Sequence, residues 1–301
     1  MRLPTRTLGK TGLEVTTLGY GAMELRGAPQ SQPITPEHAG AILNSALDSG
    51  INYIDTSRDY GKCEEFIGQY ISHRRSEFYL ATKCGCVLDV SPHPGPGVPF
   101  PHLYTPENII RGVNDSLTRM KTDYIDVLQF HGDPSKELLE EQGAIEAILD
   151  IKKAGKARFI GISSTLPRIG ALIELGVFDV FQIPYSILDR DHESAIEQAI
   201  EAGAGTIIRG GAAKGALEGR REGGAALDLW NQAQLDDLLD DMTRVEFMLR
   251  FNTGQSNLHT TIVATTNLEH MQNNVNAGAK GSLAADVITE AKRRLDAASG
   301  A

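Results

Sequence analysis

The sequence predicts an α/β fold, a (β/α)8 TIM barrel with an N-terminal β-hairpin and C-terminal helices, and three observations carry that expectation. Eight short runs rich in β-branched residues alternate with longer stretches of helical periodicity, the order that builds a parallel sheet wrapped by helices. No linker interrupts the series, so residues 1–301 are read as a single domain. Two long segments that suit neither strand nor helix directly follow predicted strands. In a parallel barrel this puts them at the C-terminal face, where active sites are built.

Taken in order, residues 5–8 and 14–17 flank Gly9-Lys10-Thr11-Gly12 and read as a hairpin placed to plug the base of the barrel. The eight strands are expected at 18–21, 53–55, 78–83, 125–130, 159–162, 180–183, 205–208 and 260–264. At Thr35-Pro36-Glu37 a hydroxyl N-cap precedes proline at the first helical position. Ala39, Ile42, Leu43, Ala46 and Leu47 then share one face until Gly50 ends the helix. Thr105-Pro106-Glu107 repeats that start, with Ile109, Val113 and Leu117 following at four-residue spacing. After the eighth strand, 271–277 and 286–298 read as helices. The last of these carries Lys292, Arg293 and Arg294 near its C-terminal end, where cations favour the helix dipole. The two exceptions are residues 88–101, crowded with Pro92, Pro94, Pro96, Pro99 and Pro101, and the Gly/Ala-rich residues 209–224. Both are expected to be loops that, with residues 23–32, set substrate specificity.

Composition narrows the function classes. Apolar content of 41% and charged content of 23% are ordinary for a globular enzyme. A formal net charge of −10 argues against nucleic-acid binding, which needs clustered Lys and Arg, yet leaves room for an anionic cofactor held by helix N-termini. No apolar run has the length of a signal peptide or membrane span, so a cytoplasmic protein without membrane contact is expected. Cys63, Cys84 and Cys86 cannot all pair, and Cys84-Gly85-Cys86 lacks the spacing of a structural zinc site. They read as reduced thiols, and no metal is assigned. Oligomeric state is left open.

The chemistry lies in polar residues at strand ends. Asp55, Lys83 and His131 close the second, third and fourth predicted strands, and Tyr60 sits in the loop five residues after Asp55. Singly, such residues are more often caps, packing or surface groups. Converging on one barrel face, they form a catalytic layout. A lysine paired with an aspartate beside a tyrosine would stabilise phenolate and pull the tyrosine down from about 10 into a range suited to proton transfer.

These residues carry a resemblance. The segments GINYIDTSRDYG (50–61), ATK (81–83) and YIDVLQFH (124–131) are similar, in order and spacing, to the signature segments of the aldo-keto reductase family, over a stretch running from the hairpin to about Asn274. The resemblance implies that Tyr60 protonates the substrate oxygen, that Lys83 paired to Asp55 tunes it, and that His131 orients the carbonyl. It implies hydride transfer between a nicotinamide cofactor and a small carbonyl or alcohol substrate. Ser163, Ser164 and Gln182 match the family's nicotinamide carboxamide contacts, although the second is more often Asn. Arg209 and Gly210 match the segment along the ring and pyrophosphate, while Thr265, His270, Asn273 and Asn274 fall at the adenine end. In IVATTNLEHMQNN (262–274) the usual cationic contacts to a 2′-phosphate fall on Ala264 and His270. The resemblance still makes NADPH the first choice and NADH the alternative, and the missing cations lead to an expectation of weak discrimination. Two rivals stay open: a Schiff-base lyase with Lys83 as nucleophile, and a cofactor-binding redox sensor or regulatory barrel without efficient turnover.

Overall fold

The computed structural model describes residues 2–28, 31–88, 90, 98, 100–212 and 224–300. Strands β1 (Thr5–Thr7) and β2 (Glu14–Thr16) pair antiparallel as a separate hairpin. The barrel begins with β3 (Leu18–Gly21), α1 (Pro36–Asp48), β4 (Tyr53–Asp55), α2 (Cys63–Tyr70), β5 (Tyr79–Cys84) and α3 (Pro106–Met120). It continues through β6 (Ile125–Phe130), α4 (Lys136–Glu141), α5 (Ala144–Lys153), β7 (Ala157–Ser163), α6 (Ile169–Glu174), β8 (Val180–Pro184), α7 (Glu193–Glu201) and β9 (Gly205–Arg209). Helices α8 (Ala225–Gln232) and α9 (Arg244–Thr253) precede β10 (Thr260–Val263), and α10 (Leu268–Ala279) and α11 (Ala285–Ser299) end the chain. Strands β3 to β10 close as an eight-stranded parallel barrel, β10 pairing with both β3 and β9.

Local chemistry accounts for the element boundaries. The Thr35 hydroxyl accepts the His38 amide at the start of α1, and Gly50 turns the chain after it at φ +87°. Thr105 precedes Pro106 at the start of α3 but makes no side-chain cap bond, so proline's fixed φ is the stronger start signal there. The last helix departs from the expected dipole pairing. Lys292, Arg293 and Arg294 lie at least a turn before its end and form ion pairs with Glu193, Glu290 and Asp237. Trp230 is core, its indole N–H donating to Asp236 and its ring set edge-on to Phe247.

Inside the barrel, alternate residues face the axis and form tiers. Tyr53, Ala81, Val127, Val180 and Ile207 make an apolar floor with Tyr79, Phe159 and Ile262. The hairpin caps it from below with Leu8, Leu13 and Val15. Gly9 permits this closure, since a Cβ there would stand 2.4 Å from the Gly205 nitrogen. Two residues further along five of these strands come Asp55, Lys83, Gln129, Gln182 and Arg209, a polar tier at the opposite end.

Candidate active site

The polar tier is wired by register. Asp55 pairs across β4 and β5 with Ala81, and Lys83 across β5 and β6 with Gln129. This brings the Lys83 ammonium 2.6 Å from Asp55 Oδ1, while it also donates to the Thr56 carbonyl at 2.8 Å. Asp55 and Lys83 are each 2% exposed, so this is a desolvated ion pair whose remaining acceptor must be satisfied. The side-chain amides of Gln129 and Gln182 do so, donating to Asp55 Oδ2 at 3.1 and 2.9 Å. Lys83 Nζ lies 5.0 Å over the Tyr60 ring, and the Tyr60 and His131 rings meet edge to face at 5.8 Å. The four residues singled out from the sequence are therefore brought together.

One expectation about them is reversed. Tyr60 is held well above the ordinary phenol value, first by burial and then by the charges of Asp55 and Asp59, while Arg209 pulls it down. Lys83 is held by Asp55, and its Nζ lies over the Tyr60 ring. Tyr60 thus keeps its proton at neutral pH, the state a general acid needs. Around His131, Nδ1 lies 3.3 Å from Ser57 Oγ and 3.4 Å from Asp59 Oδ1. Burial is the largest influence on Asp59 and acts to raise it. The His131 charge and hydrogen bonds from His131 and Ser57 outweigh that and hold it below the usual carboxylate range. Burial, then the charge of His131, pushes His102 down to about 4.

A cavity of about 1860 Å³ opens over this tier, larger than the roughly 300–1,000 Å³ usual for a small-ligand site. Its walls run from Asp55, Tyr60, His131 and Ser163 past Gln182, Arg209 and Gly210 to Thr265, His270, Asn273 and Asn274. Arg209 is mostly buried, which lowers its guanidinium, and its Nε has no partner among the described residues. Such an orphaned donor, beside Gly210 at φ +78°, fits a group that brings acceptor oxygens. Asn267 caps α10 by accepting the Glu269 and His270 amides, at the end of the cavity lined by Asn273 and Asn274.

Ser164, just past the end of β7, is buried, and its hydroxyl donates to Asp133 at 2.7 Å. Asp133 itself faces the cavity, a residue the sequence reading missed although it follows His131-Gly132 at a strand end. Lys280 was also missed. It lines the cavity from the C-terminal end of α10, paired with Glu246 at 2.9 Å. Gln129 could have been found from its two-residue step beyond Val127. The expected loops at 88–101 and 209–224 lie largely outside the described residues. The roots of the first are visible, bridged by the Val87 amide to the Pro101 carbonyl and the Leu103 amide to the Gly85 carbonyl.

A polar tier at the C-terminal mouth of a closed parallel barrel, beneath a cavity of dinucleotide size, defines the mouth of a barrel enzyme. The model of the aldo/keto reductase family matches residues 17–294, and the chain belongs to that family of nicotinamide-dependent oxidoreductases. It is 29% identical to an uncharacterized oxidoreductase, YqkF, of Bacillus subtilis over 90% of both chains. It is 30% identical to the NADH-specific methylglyoxal reductase of Escherichia coli over 63% of this chain and 61% of that one. The holo-form structure of the aldo-keto reductase AKR11C1 from Bacillus halodurans superposes with a TM-score of 0.83 at 27% identity, covering 97% of this chain and 96% of that one.

Proposed function

We propose that the protein reduces a small aldehyde or ketone to the alcohol, reversibly, with Tyr60 as the proton donor. The observation that carries this reading is the buried Asp55–Lys83 pair under the Tyr60 ring, with His131 beside it at the cavity floor. Tyr60, held protonated by burial and by Asp55 and Asp59, gives its proton to the substrate oxygen as negative charge develops there. His131 sits against the same edge and orients that oxygen. The Asp55–Lys83 pair fixes the floor on which Tyr60 rests, while Gln129 and Gln182 keep the Asp55 carboxylate satisfied. A nicotinamide cofactor would supply the hydride, with Ser163, Gln182, Arg209 and Gly210 along its ring and pyrophosphate and Thr265, His270, Asn273 and Asn274 at its adenine end.

NADPH is favoured on the resemblance to the family alone, and three observations keep the margin small. Ala264 and His270 offer no fixed cation to a 2′-phosphate, Lys280 is already paired with Glu246, and one relative is NADH-specific. The ion pair also favours a reductase over a Schiff-base lyase, since an ammonium bound at 2.6 Å to Asp55 presents no lone pair to a carbonyl. Nicotinamide absorbance, followed with both cofactors against a panel of small aldehydes and ketones, tests the proposal. Turnover is expected. Tight cofactor binding without turnover across the panel would move the reading to a redox sensor.

A further inference from the structure

We propose that Asp59, Cys86, His102 and His131 form a site for one thiophilic divalent cation of the Zn2+ class, at the rim of the barrel mouth. One ligand atom from each lies within 4.8 Å of all the others. His131 Nδ1 is 3.4 Å from Asp59 Oδ1 and 3.5 Å from Cys86 Sγ. Zinc bonds of about 2.0–2.3 Å place neighbouring corners of a tetrahedron about 3.3–3.7 Å apart. Two edges of the site thus already have the required length, and the widest must close by about an ångström. One thiol, two imidazoles and one carboxylate are a donor set that suits zinc and does not suit magnesium or calcium.

The backbone holds these groups in place without the metal. Cys86 and His102 are antiparallel bridge partners at the two roots of residues 87–101. The His102 ring packs so closely over Gly132, at φ +82°, that a Cβ there would stand 2.7 Å from it, and it meets the His131 ring edge-on at 5.2 Å. The Tyr104 hydroxyl donates to the His131 carbonyl at 2.5 Å, which ties the β6 end to the same root. A second observation points to a ligand. His102 Nε2 is buried without a partner among the described residues, while its ring bonds to the Phe100 backbone, the arrangement that commonly orients a metal-binding histidine. Binding would release the Cys86 thiol proton to solvent. With Nδ1 of His131 on the metal, the one proton of its ring must sit on Nε2. The site would therefore lock the tautomer of a residue at the mouth, and it was invisible in the Cys84-Gly85-Cys86 spacing because only Cys86 takes part.

The test is direct binding of Co2+ alone to chelator-stripped full-length protein, followed by displacement with Zn2+. One equivalent of Co2+ is expected to give a thiolate-to-cobalt charge-transfer band with the intense visible bands of a tetrahedral site, and Zn2+ should erase both. Cys86→Ser should abolish the thiolate band, and His102→Gln should weaken binding by at least about tenfold. Neither variant should lower metal-free carbonyl reduction. Absence of the thiolate band in the wild-type protein overturns the proposal, and so does a band that survives Cys86→Ser, which would come from Cys63 or Cys84.

Discussion

Along one inward face of each of five strands, two residues separate the floor of the barrel from its mouth: Tyr53 from Asp55, Ala81 from Lys83, Val127 from Gln129, Val180 from Gln182 and Ile207 from Arg209. The same backbone hydrogen-bond frame carries both tiers, yet they do opposite work. The floor is apolar, sealed by Leu8, Leu13 and Val15, and contributes by excluding water. The mouth buries an ion pair and amides that gain little or no stability over an apolar filling. What the mouth gains is position, with each donor aimed by the register of its strand. The comparison teaches that stability and chemistry are separable along a single strand, one pleat period apart.

The sharpest way to break that separation is Lys83→Met, expected to lower turnover by about 10²-fold or more and, by stranding the buried Asp55, to cost about 3–5 kcal/mol of stability. Adding Asp55→Asn removes the stranded charge. Denaturant unfolding of this double variant should show recovered stability while its turnover stays lost. Recovery of turnover would mean that the charged pair is not needed for proton transfer by Tyr60. At the floor, Leu13→Ala should cost about 2–5 kcal/mol in the same unfolding assay and leave kcat within error of wild type. A large fall in kcat there would show that the tiers are mechanically coupled.

Smaller effects test the electrostatics. Because burial and two carboxylates raise Tyr60, its phenol stays protonated below its shifted value and loses its proton only above that, beyond the ordinary value of 10.0. Ultraviolet difference titration of cofactor-free wild type against Tyr60→Phe should show no phenolate from Tyr60 below pH 10. A titration centred near pH 8 would restore Lys83 as its dominant neighbour. Smallest is the cofactor effect. Dissociation constants for NADH and NADPH should agree within about tenfold, less than about 1.4 kcal/mol. A large NADPH preference would direct attention to Arg209 and Lys280.

The barrel was legible because its signals are local and repeated. Six of the eight strands agree with the structure at one or both ends to the residue, 18–21, 53–55 and 125–130 at both, since period-2 runs stop where Gly, Asp or His begins the next loop. The convergence of Asp55, Lys83 and His131 followed from strand-end position alone. The environment of Tyr60 did not, because its burial among Asp55 and Asp59 is a tertiary quantity. The bond from the Ser164 hydroxyl to Asp133 was equally out of reach, since it joins the ends of two strands 31 residues apart. Cys86 and His102, sixteen residues apart, meet as antiparallel bridge partners, which no periodicity reports.

The central claim is that Tyr60 donates the proton, and Tyr60→Phe tests it most directly because it removes one hydroxyl and almost no volume. Cofactor titration by fluorescence and turnover should be measured on one preparation of the variant. The expected result is nearly unchanged cofactor affinity with carbonyl reduction down by about 10²–10⁴-fold. Reduction at the wild-type rate would contradict the account and remove Tyr60 from the mechanism.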